Sequence, residues 1–154
     1  MTIHLIRHAT AGDRHRWDGD DLDRPLDTRG RGQADAIAVR LADAPIRAIW
    51  SSLAVRCIDT VAPLAEATGL EVRTSRALTE GADWSQVIDL LDDEAAGAGD
   101  VAFCSHGDLI PEALNHLLRR GMEITGPRGC AKASIWSLET RGSEVVRAVY
   151  LAAP

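Results

Sequence analysis

Two apolar runs in this sequence each end on a histidine with an anion-holding group beside it. Ile3-His4-Leu5-Ile6 stops at Arg7-His8, and Val101-Ala102-Phe103-Cys104 stops at Ser105-His106. A neutral imidazole nitrogen can attack phosphorus, and a planar guanidinium can grip phosphate oxygens through paired hydrogen bonds. A third run, Arg47-Ala48-Ile49-Trp50, ends at Ser51-Ser52, with Arg56 shortly after. Each motif is short, and alone each has an ordinary reading: an arginine at a sheet end, a hydrogen-bonded histidine, a solvated arginine. Arg56 falls in the first turn of an expected helix, where a cation opposes the helix dipole. A phosphate bound at that helix end would offset the conflict. Cys57, on the buried side of the same helix with no base in view, reads as core.

The elements that must position these groups alternate along the chain. The run at 3–6 is apolar on both faces, which suits a parallel sheet covered by helices on both sides. In such sheets ligands bind at the carboxyl ends of the strands. Residues 10–24 carry no period, hold many acids and read as a long exposed loop bordering the site. Its acids and His15 read as solvated charges rather than a metal site, because no pair has a spacing that aims it inward. Asp27 or Thr28 caps a helix whose inner face is Ala34, Ile37, Ala38 and Leu41. A second helix over 53–67 has Val55, Ile58, Val61, Ala62 and Ala65 as its expected stripe, and Ser51-Ser52 stand where they can cap it. A short strand over 71–74 follows, then a loop with Glu80, which is a surface charge on its own showing, and an acidic helix over 84–91. A helix after His106 presents Leu109, Ile110, Ala113, Leu114, Leu117 and Leu118 on one face and stops at Gly121. His4 and His116 read as packing residues. Two strands over 131–138 and 143–151 flank a turn at 140–142, a hairpin spacing. The pattern predicts an α/β fold, a three-layer α/β/α sandwich whose central sheet is mostly parallel with an antiparallel edge.

Composition narrows the function classes. The chain has 154 residues, 45% hydrophobic, which suits one domain over 1–154 with a full core. Lys and Arg number 17 against 23 Asp and Glu, a net charge of −6, so no broad basic surface for a nucleic acid polymer is expected. No apolar run approaches the roughly 18 residues of a membrane-spanning helix, and no leader pattern precedes Ile3, so a cytoplasmic protein is expected. Cys57, Cys104 and Cys130 have no Cys-x-x-Cys spacing and read as reduced thiols, with neither zinc nor a disulfide framework.

The strand-end clusters together could surround one phosphoryl group, and no P-loop or carboxylate set for Mg²⁺ accompanies them. In this arrangement the sequence resembles the histidine phosphatase superfamily, with its phosphoglycerate-mutase-like fold. Leu5-Ile6-Arg7-His8-Ala9 resembles the family's signature. Arg24-Pro25-Leu26-Asp27, Gly30 and Gln33-Ala34 resemble the second block of its short, SixA-like members. Ser51-Ser52 with Arg56 and Thr60, then Leu78-Thr79-Glu80, then Ser105-His106-Gly107 follow in the family's order. A closer likeness is to the histidine phosphatase domain fused to MutT-type Nudix hydrolases, carried by residues 7–12, Gly19-Asp20-Asp21, Arg56-Cys57 and Lys132-Ala133-Ser134; these residues contain no Nudix box.

The resemblance implies His8 as the phosphorylated nucleophile, Arg7 and Arg56 as phosphate clamps, His106 as a further phosphate and transition-state contact, and Glu80 as proton donor. It implies no cofactor or metal and a small phosphorylated substrate or a phosphohistidine protein as partner. Mutase members carry substrate-binding polar groups soon after the nucleophile and a long insertion. Ala11 and Arg14 stand there instead and the insertion is absent, which favours a phosphatase. Asp108, an acid directly behind the second histidine's glycine, opposes anion binding and leaves open a catalytically weak phospho-ligand-binding or regulatory domain.

Overall fold

Seven strands and four helices follow one another in the computed structural model, which describes all 154 residues. In chain order they are β1 (Thr2–Arg7), α1 (Thr28–Arg40), β2 (Ile46–Ser51), α2 (Val55–Thr68), β3 (Val72–Thr74), α3 (Trp84–Ala95), β4 (Asp100–Ser105), α4 (Leu109–Arg119), β5 (Glu123–Thr125), β6 (Ile135–Arg141) and β7 (Glu144–Leu151). The strands make one sheet in the order β3-β2-β4-β1-β6-β7-β5. It is the expected mostly parallel α/β sheet. The antiparallel member is β6 alone, third from the edge, since β7 turns back beside it and β5 joins β7 in parallel. The three-residue β5 is too short to show a period and was not foreseen. No helix is long and apolar enough to cross a membrane.

Alternation along the buried strands divides the core into two layers. Ile3 and Leu5 of β1, Val101 and Phe103 of β4, and Trp136 and Leu138 of β6 pack with α3 and α4. Ile6, Ile49, Ala102, Cys104 and Ile135 pack with α1 and α2 on the other face. His4 is a packing residue as expected, 6% exposed and held by Ser137 and Asp100. His116 lies against Trp84, ring centroids 4.9 Å apart.

Parallel register brings the polar strand ends together. Arg7 pairs with Ser105 and Ser51 with Cys104. The ladder continues one residue further, with the His8 amide donating to the Ser105 carbonyl at 3.0 Å and the Ser52 amide to Cys104 at 2.9 Å. The buried face of α2 differs from the expected stripe. Arg56, Cys57, Thr60, Val61, Leu64 and Ala65 are buried, whereas Val55 and Ile58 are half-buried and Ala62 is exposed. The helix starts beneath the 10–24 loop, so two polar side chains with partners inside take a face that apolarity alone assigned elsewhere.

Candidate active site

The segment after β1 is fixed by the helices beside it. The Ala9 amide donates to Thr60 Oγ1 at 2.9 Å, and that hydroxyl donates on to the Arg56 carbonyl. Thr10 is gripped by Gln33 and Asp27: its amide donates to Gln33 Oε1 at 3.1 Å and its hydroxyl to Asp27 Oδ1 at 2.9 Å. Asp27 is the cap of α1, accepting from the Gly30 amide at 2.7 Å and from Gly12 at 3.0 Å. The Gly30 amide, then the Thr10 hydroxyl, the Gly12 amide and the charge of Lys132 hold its carboxyl below the usual range against a partial burial cost. Gly30 is required by this approach, since a Cβ there would meet the Thr10 carbonyl oxygen at 1.9 Å. Asp27, Gly30 and Gln33 entered as part of the family's second block, Asp27 also as a helix cap, and Thr60 as part of the serine-rich block. What they do is hold the segment that carries His8.

His8 is 6% exposed, and its Nδ1 lies 2.8 Å from the Ala9 carbonyl. A carbonyl only accepts, so Nδ1 carries the proton and Nε2 keeps its lone pair. Burial is the main cause that lowers the His8 pKa to about 3; the Ala9 bond opposes it, and the charges of His106, Arg56 and Arg7 add to the lowering. The imidazole is therefore neutral at physiological pH and fixed in one tautomer. His106 stands beside it, ring centroids 5.2 Å apart. Its Nε2 contacts Ser52 Oγ at 2.8 Å and Cys57 Sγ at 3.4 Å, and its buried Nδ1 has no protein partner. Ser52 also accepts from the Ala54 amide at the entry of α2. Cys57 is fully buried, as expected of core, although it touches the second histidine.

Arg7 donates to the Cys130 carbonyl and keeps a buried, unpartnered Nε. Gly107 makes room for it: a Cβ there would lie 2.6 Å from Arg7 Cζ. Arg7, His8, His106 and Gly107 form the floor of a cavity of about 350 Å³ with no hydrophobic side chain in its lining. A larger cleft of about 580 Å³, lined by Pro45, Ala95, Gly97 and their neighbours, lies away from these groups and carries no comparable chemistry.

Arg56 overturns its ordinary reading, for it is 1% exposed. The anions that offset its position in the first turn of α2 are the protein's own. Nη1 donates to the Asp21 backbone carbonyl at 2.7 Å, and Nη2 meets Asp21 Oδ2 and Glu80 Oε2, each at 3.1 Å. It stands behind the cavity rather than on its surface, with Nε unpartnered. Asp21 also takes Arg24 Nε at 3.0 Å and Arg14 Nε at 3.5 Å. Burial raises its pKa, but the Arg24 hydrogen bond and the charges of Arg56, Arg24 and Arg14 outweigh that and lower it. Asp21 thus anchors three arginines, a role that no spacing in the sequence announces. Glu80 reaches the cavity, yet both its oxygens are taken by Arg14 Nη2 at 2.9 and 2.7 Å. Asp108 also borders the cavity and accepts from the Gly81 amide at 2.8 Å, pinning the Glu80 loop to the start of α4.

Residues 3–87 match the histidine phosphatase superfamily (branch 1). The chain is 34% identical over 156 residues to an 8-oxo-(d)GTP phosphatase of Mycolicibacterium smegmatis. That match covers 99% of this chain and 48% of the relative, so the chain spans about half the length of that protein. The structure of the protein histidine phosphatase SixA complexed with tungstate superposes with a TM-score of 0.78 at 20% identity, over 99% of this chain and 95% of the other. A SixA structure from Nakamurella multipartitia superposes with a TM-score of 0.73 at 26% identity, over 99% of this chain and 94% of that one. The family match takes in more than half of the chain, from the strand that ends at Arg7-His8 through the Glu80 loop. The chain belongs to the histidine phosphatase superfamily.

Proposed function

We propose that residues 1–154 act as one phosphatase domain that hydrolyses a phosphorylated substrate through a phosphohistidine on His8. The observation that carries this reading is the fixed tautomer of His8: buried, neutral, with Nδ1–H on the Ala9 carbonyl and Nε2 free beside an arginine-lined cavity. Nε2 attacks phosphorus, the N–P bond forms, and the bond to the leaving oxygen breaks. Arg7 holds the phosphoryl oxygens, and His106 offers Nδ1 to the same charge. Arg56 adds positive charge from behind, with Nε the atom left for a direct contact. Water then attacks phosphorus, releases inorganic phosphate and returns the electron pair to Nε2. Two arginines, with a hydrogen bond from His106, offset the charge of the phosphoryl group without a metal ion. The binding of tungstate by the related SixA supports a site for a tetrahedral oxyanion in this fold.

Small phosphomonoesters, nucleotides and protein phosphohistidine are the substrate classes of this reading. The likeness to an 8-oxo-(d)GTP phosphatase favours a nucleotide. Glu80 is assigned as proton donor to the leaving group. With both its oxygens accepting from Arg14, it is not free to meet a leaving oxygen until that guanidinium moves, which favours substrates whose leaving group departs unaided. The experiment is a rapid acid-free quench during turnover of an aryl phosphate. Acid-labile, base-stable phosphate is expected on His8 and none in His8→Ala, which loses turnover. Label on a serine or on Cys57 overturns the mechanism, and binding without any turnover favours the regulatory reading. Activity is expected to survive exhaustive chelation.

A further inference from the structure

Of the 17 Lys and Arg residues only Lys132 is a lysine, and it borders the cavity above His8. It is half-buried, yet it has neither an ion pair nor a side-chain hydrogen bond anywhere in the structure. Asp27, whose carboxyl feels its charge, makes no ion pair with it. The other cations near the site are engaged: Arg7 by Cys130, Arg24 and Arg56 by Asp21, Arg14 by Glu80. Lys132 is the cation of this cavity that has no protein partner.

The backbone that carries it is strained. Ala133 is the only non-glycine residue with a positive φ, +65°, and it is fully buried. A left-handed alanine persists only where its surroundings over-determine it, and such residues cluster at functional sites. Here the amide of Ala133 donates to the carbonyls of both Arg7 and His8, each at 3.1 Å. The Ser134 carbonyl accepts from the Arg7 amide at 3.0 Å. Residues 130–134 are thus strapped onto the strand end that bears the nucleophile, and the turn at Ala133 sets Lys132 at the cavity rim. A flexible ammonium on a rigid strap suits a compact anionic group that must be met without a fixed plane of approach.

We infer that Lys132 binds a second anionic group of the substrate, set close to the phosphate that reacts at His8. The substrates so selected are small molecules bearing a further phosphate or carboxylate beside the reacting phosphoryl group. The cavity, at about 350 Å³ and without a hydrophobic side chain, has room and lining for such a dianionic pair. This inference rests on the phosphatase reading for the place of the reacting phosphate, on Arg7 and His8. Lys132 is a specificity-determining residue in it, with no part in bond-making.

The test compares inorganic phosphate, which fills the inner place alone, with pyrophosphate, which reaches both. Dissociation constants are measured by NMR titration of the wild type, Lys132→Met, Lys132→Arg and Arg7→Met, each checked for folding by its amide spectrum. The quantity read is the preference for pyrophosphate over phosphate. Loss of one charge-assisted contact is expected to lower it about tenfold in Lys132→Met, with most of it kept in Lys132→Arg. An unchanged preference in Lys132→Met, or equal weakening of both anions, overturns the inference. If phosphate binding is at the same time lost in Arg7→Met, the phosphatase reading stands without it. Phosphate binding indifferent to Arg7 overturns both.

Discussion

His8 and His106, at the cavity floor, are 6% and 2% exposed and are held by a backbone carbonyl and a buried serine hydroxyl. At the rim, Arg14 and Glu80 keep side-chain exposures of 52% and 39% and are held by each other. The floor takes its geometry from strand register, which cannot shift by one residue without turning a whole buried face to solvent. The rim takes its geometry from guanidinium–carboxylate pairs, which salt screens and a bound anion can compete away. Positioning of His8 and His106 is therefore built into the sheet, whereas Glu80, the proposed proton donor, and the other rim groups sit where they can rearrange.

The sharpest way to separate the two regions is Glu80→Gln. A general acid contributes roughly 10²–10⁴-fold where a basic oxygen must depart, so alkyl phosphates should slow by that order. Activated aryl phosphates should slow only modestly, with His8 still phosphorylated. Equal rates for variant and wild type on every leaving group would make Glu80 a rim charge and shift the substrate towards anhydrides or phosphohistidine.

Gly107→Ala strikes the floor without removing any charge. The added methyl meets the Arg7 guanidinium at 2.6 Å and must displace it. A displacement on the order of 1 Å in a positioning group can cost about 10²-fold, expected here in kcat/KM for an aryl phosphate. A variant as active as wild type would mean that Arg7 is not positioned by that approach.

The floor should also register in stability against pH. The unfolded chain protonates His8 near 6.5, while the folded site refuses the proton down to about pH 3. Stability from this difference is full above pH 6.5 and is lost as pH falls towards 3. Denaturant unfolding from pH 6.5 to 5 should show a shallower loss in His8→Gln than in wild type. Parallel curves would show that His8 titrates alike in both states.

Asp21→Asn is expected to have the smallest effect. It weakens the side-chain anchor shared by Arg14, Arg24 and Arg56 but leaves the Asp21 backbone carbonyl on Arg56. A few-fold rise in KM, with wild type moving towards the variant in high salt, would fit a rim held by ion pairs. A large loss of kcat with unchanged KM would place Asp21 with the floor.

The parallel sheet was legible because its buried strands read as apolar on both faces and their covering helices carry a stripe. The helix α2 departs from that logic at Arg56 and Thr60. Their burial depends on Asp21, Glu80 and the Ala9 amide, partners far away in the chain. The stripe drawn through Val55 and Ile58 failed for the same reason: a buried polar group is stable only with its partner, and the partner is absent from the local pattern. β5 was missed because three residues show no period.

By itself the sequence determined the order of strands and helices apart from β5, the strand-end location of Arg7-His8, Ser51-Ser52 and Ser105-His106, and the residue types that match the family. Those depend on neighbours a few positions apart. Only the tertiary structure decided that Nδ1 of His8 is spent on the Ala9 carbonyl, that Arg56 is buried behind the cavity, that Glu80 is occupied by Arg14, and that Lys132 is the cation left without a partner. Protonation, burial and pairing depend on desolvation and on charges brought together from distant parts of the chain, and those are set when the strands come into register.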